Sequence, residues 1–180
     1  MLFTGCGDSG YTSVIGGPSL LKCDVRLEAL GALDEAQAHL GLARALLAGN
    51  PSAESLKRVQ ADLHLLMADC ATVPLHPASG AYLTEEHVRY LEADLACWEA
   101  AMDGPRGLMM PGDTVLGAHL HIARTAIRRA ERQVVALQQN GGIRGTTVLT
   151  YLNRLSSWVY ALAVMAESPD ALSECISTPL

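Results

Sequence analysis

From residue 24 onward the apolar positions recur at alternating intervals of three and four, a rhythm that predicts five helices punctuated by glycine and proline. The first, about Asp24 to Ala48, carries Ala29, Leu33, Ala36, Leu40, Ala43 and Leu47 on one stripe, and Gly49-Asn50-Pro51 stops it. The second, about Ser52 to Thr72, lines up Leu56, Val59, Leu63, Leu66 and Cys70, with Ser52 as the N-cap and Pro74 and Pro77 beyond its end. The third, about Thr84 to Asp103, places Val88, Leu91, Leu95, Trp98 and Met102 together before Gly104-Pro105. A fourth, capped by Asp113 and running to about Gln139, has the longest seam: Leu116, Leu120, Ala123, Ile127, Ala130, Val134 and Leu137. Asn140-Gly141-Gly142 ends it. The fifth, about Thr146 to Glu167, is apolar nearly all round and should be buried centrally or shared with another subunit.

Short connections between such helices predict an all-α, antiparallel up-down five-helix bundle over residues 24–167, of ferritin-like type. A glycine-rich segment, residues 1–23, precedes it as a structured loop or short strand, and a tail, residues 168–180, follows it in the same single domain. At 180 residues the chain can bury roughly 70% of the surface its unfolded form exposes, so it needs no disulfide or metal staple. A formal net charge of −6 argues against a nucleic-acid scaffold but leaves room for a local basic site. Five cysteines without a C-x-x-C spacing fit neither a disulfide framework nor a zinc ribbon, and no apolar run is long enough to span a membrane. A soluble protein of a reducing, cytoplasmic compartment is expected.

Four features stand beside the plain bundle pattern. At about 100° per residue, Arg124, Arg128 and Glu131 border the buried stripe of the fourth helix instead of facing bulk water, alongside Arg129 and Arg132. A salt-bridged helix edge would explain such a cluster without any ligand. Asn153 sits at the same kind of edge on the fifth helix, where its amide needs a partner, and a neighbouring carbonyl would suffice. Asp34 and Glu35 lie off the seam of the first helix, as solvated carboxylates do. Finally, Gly5, Gly7 and Gly10 with Thr4, Thr12 and Ser13 can offer backbone N–H groups and hydroxyls to an anion, although the spacing is not that of a Walker loop and a simple turn would leave the same trace. The six histidines show no metal-ligand spacing, and no nucleophile elbow or Cys/His pair is visible. Chemistry here should work by positioning and charge.

Thr4-Gly5-Cys6-Gly7-Asp8-Ser9-Gly10-Tyr11-Thr12-Ser13, Lys22 to Glu28, Asp34-Glu35, Met110-Pro111-Gly112, Ala123 to Arg132 and Tyr151-Leu152-Asn153-Arg154-Leu155-Ser156 together resemble the ATP:cob(I)alamin adenosyltransferases of the propanediol-utilisation type, in order and spacing, over almost the whole chain. The resemblance implies a homotrimer of five-helix bundles that binds ATP and the corrinoid between subunits. It implies that Thr4, Cys6, Gly7, Thr12 and Ser13 wrap the triphosphate, that Lys22 adds positive charge, and that Arg128, Glu131, Arg132 and Asn153 hold the nucleotide. Asp34 and Arg124 match a pair that bridges subunits near the corrinoid, while Leu108 and Tyr160 match positions beside the corrinoid itself. The implied reaction is attack of Co(I) on the 5′ carbon of ATP, with Mg²⁺ on the phosphates and a flavoprotein reductase as a possible partner.

The chain departs from the family pattern at five positions. Leu108 stands where an aromatic closes the lower face of the cobalt, Ser157 where Asp is usual, Tyr160 where Phe is, Asp113 where a second Gly is, and Gly5 where a basic residue is common. Leu108 and Ser157 motivate an alternative, a non-catalytic ATP- or corrinoid-binding relative acting as carrier or sensor. A purely structural oligomeric bundle is the third reading.

Overall fold

The computed structural model describes residues 5–73, 83–101, 109–143 and 145–167. Among them the three-four rhythm becomes five helices, α1 (Val25–Leu46), α2 (Ser52–Ala71), α3 (Glu85–Ala101), α4 (Val115–Gln139) and α5 (Thr147–Ala166), preceded by a two-stranded antiparallel hairpin, β1 (Tyr11–Ser13) and β2 (Ser19–Leu21). The expected ends beyond Val73 and Ala101, with Met102, Gly104, Pro105 and the prolines 74 and 77, lie outside the described residues, as does the tail 168–180.

Two caps differ from the sequence expectation. Ser52 is the first helical residue and not the cap, a position that Pro51 takes; the Ser52 backbone N–H donates to Asn50 Oδ1 at 2.9 Å in a turn that leads into the helix. Thr114, not Asp113, caps α4, because its extended backbone aims the hydroxyl at Gly117 N, 2.9 Å away. At α1 the Asp24 carboxylate accepts from Arg26 N as the boundary predicts.

Side-chain contacts fix the direction of each helix. Arg26, at the head of α1, donates to the carbonyls of Cys70 and Thr72 at the tail of α2 and to Gly142 beyond the tail of α4, so both helices run against α1. Glu167, after α5, accepts from Thr114 N at the head of α4, which sets α5 against α4. Arg58 with Tyr90 and Asp62 with His87 set α2 against α3. Thr147 with Glu85, Arg154 with Glu92 and Trp158 with Asp94 show α3 and α5 running parallel. The result is the up-down bundle the pattern predicts, with α1 packed on α2 and α4, α4 also on α5, and α5 on α3.

Within this arrangement α5 is buried by its own chain. Tyr151, Leu152, Leu155, Trp158, Val159, Leu162, Ala163 and Met165 are all fully buried. Central burial therefore accounts for its apolar circumference, and sharing with a second subunit is not needed to explain it. Trp98 and Trp158 meet at 5.0 Å and 45°, a tilted pair of the kind that contributes about 0.5–1.5 kcal/mol beyond area burial.

Two buried carboxylates that the apolar pattern does not reveal tie α2, α3 and α5 together. Asp62 accepts from the Tyr151 hydroxyl at 2.9 Å and faces His87 Nε2 at 3.8 Å, while Asp94 accepts from Trp158 Nε1 at 2.8 Å. His87 Nδ1 accepts from Thr84 N at 3.1 Å, which leaves its proton on Nε2, toward Asp62. Burial pushes both carboxyls above their ordinary range, only partly opposed by these donors.

Tyr151→Phe keeps the packed ring but deprives Asp62 of its donor, and should lower stability by about 1–3 kcal/mol in denaturant titration. Because the folded pKa of Asp62 is raised, the stability linked to its protonation is fully present below the ordinary value of 3.8 and is lost as pH rises through the folded value. Relative to wild type, Asp62→Asn should therefore gain stability between pH 4 and pH 7; a relative loss over that range would contradict the assignment.

Candidate functional site

The glycine-rich opening folds as two tight turns leading into the hairpin. Asp8 N donates to Gly5 O at 3.1 Å, Gly10 N to Gly7 O at 3.2 Å, and Lys22 N reaches back to Gly10 O at 2.9 Å. Gly10 sits at φ +83, a left-handed conformation that a side chain would strain. Gly7 has a different reason to lack a side chain: a Cβ there would lie 3.0 Å from Lys22 Nζ. The ammonium thus rests on the loop backbone, adding a full charge to the N–H groups around it. Thr12 is half-buried, and Cys6 and Ser13 are exposed on the same segment. Hydrogen bonds of Ile15 N to Ala71 O and Val73 N to Ile15 O dock the hairpin on the tail of α2. Thr4 lies outside the described residues.

The charged edge of α4 divides into paired and unpaired cations. Arg129 forms an ion pair with Glu35 on α1, and Arg154 Nε bonds Glu92 on α3 at 2.8 Å, as a salt-bridged edge would have it. Arg128 is exposed, and among the described residues no carboxylate neutralises it. Arg132, also exposed, donates to the Arg128 carbonyl at 3.0 Å. Glu131 Oε1 accepts from Asn153 Nδ2 at 3.2 Å, and Asn153 Oδ1 accepts from Arg154 Nη1 at 3.1 Å. The Asn153 amide is therefore held by side chains across α4, α5 and α3, not by a neighbouring carbonyl. Asp34 is exposed on α1, whereas Glu35 beside it is committed to Arg129.

Toward the head of α4 a third group assembles. The Arg124 guanidinium lies 5.8 Å from the Tyr160 ring centroid, and His121 meets the same ring edge-on at 6.0 Å. His121 is buried, and among the described residues both of its ring nitrogens and Arg124 Nε lack hydrogen-bond partners. Burial first, and then the Arg124 charge, lowers the imidazole pKa, so it stays neutral near pH 7. No ligand spacing singles out His121 in the sequence; only the bundle shows that it faces inward. Leu108 lies outside the described residues, while Met110 and Val115 nearby are strongly exposed.

Arg124 and Arg128 lie one turn apart on α4, whereas the hairpin loop is docked toward the tail of that helix. No hydrogen bond or ion pair among the described residues joins the hairpin loop to Arg128, Glu131, Arg132 or Asn153, or Asp34 to Arg124. The loop sits near the tail of α4, whereas roughly 17 Å of helix separates Arg128 from that tail and Arg124 lies farther still. A groove of about 280 Å³ between α1 and α4, lined by Glu28, Glu35, Arg129 and Gln133 among others, contains none of the predicted site residues. Among the described residues, no three His, Cys, Asp or Glu side chains gather into a metal site, and no helix is long and apolar enough to cross a membrane.

The arrangement has counterparts in known proteins. The sequence model of the cobalamin adenosyltransferase family matches residues 2–166. A corrinoid adenosyltransferase of Bacillus subtilis is 35% identical over 175 residues, 96% of this chain and 90% of that protein. The corrinoid adenosyltransferase PduO of Salmonella typhimurium is 34% identical over 171 residues, and this chain spans half of its length. A solved variant of the PduO-type ATP:corrinoid adenosyltransferase of Lactobacillus reuteri, complexed with cobalamin and ATP, superposes with a TM-score of 0.86 at 31% identity, covering 97% of this chain and 96% of that one. The family model and the Bacillus relative each match nearly the whole chain: the chain belongs to the cobalamin adenosyltransferase family.

Proposed function

We propose that this protein transfers the 5′-deoxyadenosyl group of ATP to cob(I)alamin, forming adenosylcobalamin and releasing tripolyphosphate. The observation that carries the reading is Arg128, a guanidinium left without a counter-charge beside a fastened Glu131–Asn153–Arg154 chain. Such a cation is free to meet an incoming polyphosphate, and the fastened neighbours hold their geometry when it does. The nucleophile is the cobalt of the substrate, so the chain needs no serine or cysteine of its own. Its tasks are to align cobalt with the 5′ carbon and to stabilise charge on the leaving triphosphate.

In this reading Thr4, Cys6, Gly7, Thr12 and Ser13 with Lys22 wrap the triphosphate, and Arg128, Glu131, Arg132 and Asn153 hold the nucleotide. Asp34, Arg124, Leu108 and Tyr160 serve the corrinoid. The length of α4 between Arg128 and the tail where the loop docks supports a homotrimer in which neighbouring subunits complete each site. Mg²⁺ would enter on the phosphate oxygens, which are the hard ligands it prefers. A cytoplasmic location and a flavoprotein reductase that supplies Co(I) complete the proposal.

Purified protein with Mg-ATP and chemically reduced cob(I)alamin should give the adenosylcobalamin spectrum and one tripolyphosphate per turnover. Binding of both substrates without product would make the protein a carrier or sensor instead. Arg128→Ala should lower kcat/KM by about 100-fold or more, yet shift Tm by less than about 2 °C, because an exposed, unpaired side chain contributes little to folding. Unchanged turnover in that variant would remove Arg128 from the site.

A further inference from the structure

The last residue described, Glu167, does something a helix end does not require. Its side chain turns back from the tail of α5 onto the head of α4, where Oε1 accepts from Gly112 N at 3.1 Å and Oε2 from Thr114 N at 2.7 Å. The Thr114 hydroxyl closes the loop by donating to Ala166 O at 2.9 Å while accepting from Gly117 N. Gly117 makes the seat possible, since a Cβ there would collide with the Glu167 carboxylate. The carboxylate also faces the positive end of α4, which favours an anion in that position. Gly112 in turn sits at φ +123, a conformation that a side chain would strain.

What this clasp holds is a surface of unusual composition. Met110 is 84% exposed and Val115 67%, two large apolar side chains turned to solvent on either side of the clasp, and farther along α4 the 38%-exposed Tyr160 carries the Arg124 charge over its ring. Such a surface suits a broad, apolar ligand with polar edges and has no use for a triphosphate.

We infer that Glu167, seated in the gap left by Gly117, is a positioning residue that sets the Met110–Gly112 loop for the corrinoid and not for ATP. This deepens the reading above and rests on it. The carboxylate touches neither substrate; it acts by fastening two backbone N–H groups that a loop without it would leave to water.

Glu167→Gln keeps the length and one acceptor but loses the second acceptor and the charge. In the full-length protein it should weaken cob(II)alamin binding, followed by spectral titration in the presence of ATP, by about tenfold and raise the KM for cob(I)alamin alike. The Kd and KM for ATP should stay within about twofold. Equal losses for both substrates, or none for either, would overturn the inference. Gly112→Ala gives the same reading independently if Glu167→Gln fails to fold, because it strains the loop backbone without crowding any neighbour: a corrinoid-selective loss supports the clasp, and an unselective or absent one overturns it. If wild type binds cob(II)alamin but forms no product, the proposed transferase reaction fails while the clasp is still judged by Kd. Failure of wild type to bind cob(II)alamin at all would overturn both.

Discussion

Arg26 carries a full charge into a site only 7% exposed, with no ion-pairing carboxylate among the described residues. What makes that burial tolerable is the supply of carbonyls: Cys70 and Thr72 at the tail of α2 and Gly142 beyond the tail of α4. Those of Cys70 and Thr72 belong to the carbonyls that a helix leaves without intrahelical partners at its C-terminal end, where the macrodipole is negative and a guanidinium is favoured. The arrangement is mutual, because the carbonyls need donors as much as the cation needs acceptors. Removing one partner would strand the other in a region with little water. The head of α1 and the tails of α2 and α4 are thereby locked to one level.

Much of the candidate site depends on that lock. Thr72, whose carbonyl Arg26 holds, is bridged to Ile15 of the hairpin connection, so the glycine-rich loop inherits its position from the same buried cation. Lys22 follows, lying over Gly7 just before the α1 cap. At the opposite end of α4, Glu167 performs the complementary operation with reversed sign, an anion on N–H groups at a positive helix end. Between these two clamps α4 presents Arg124, Arg128, Glu131 and Arg132 along one rigid element, and a rigid element preserves spacing that a loop would blur.

The buried carboxylates act on the far side of the bundle. Asp62 and Asp94 receive their donors from Tyr151 and Trp158, the largest fully buried side chains of α5. An aromatic with a polar handle can fill a core and still specify which partner it faces, which plain leucine packing cannot do. That specificity fixes the rotation of α5 and hence the presentation of Asn153 and Tyr160 on its outer side.

Periodicity determined the number and order of the helices, since stripes such as Leu33-Ala36-Leu40 and Ile127-Ala130-Val134 are buried as their spacing demands. The family resemblance lay in contiguous motifs, which survive any uncertainty about packing. Chain-local signals failed where candidates stood side by side: Thr114 outcompeted Asp113 as cap, and Asn50 became the acceptor for the Ser52 N–H, because backbone geometry, not residue type, selects the acceptor. Glu35 and Asp34 were indistinguishable until α4 brought Arg129 against only one of them. Asp62, Asp94, His121 and Glu167 carry no periodic signature, because their partners lie on other helices. Burial of a polar group is a property of the neighbours that surround it, and only the tertiary structure assembles those neighbours.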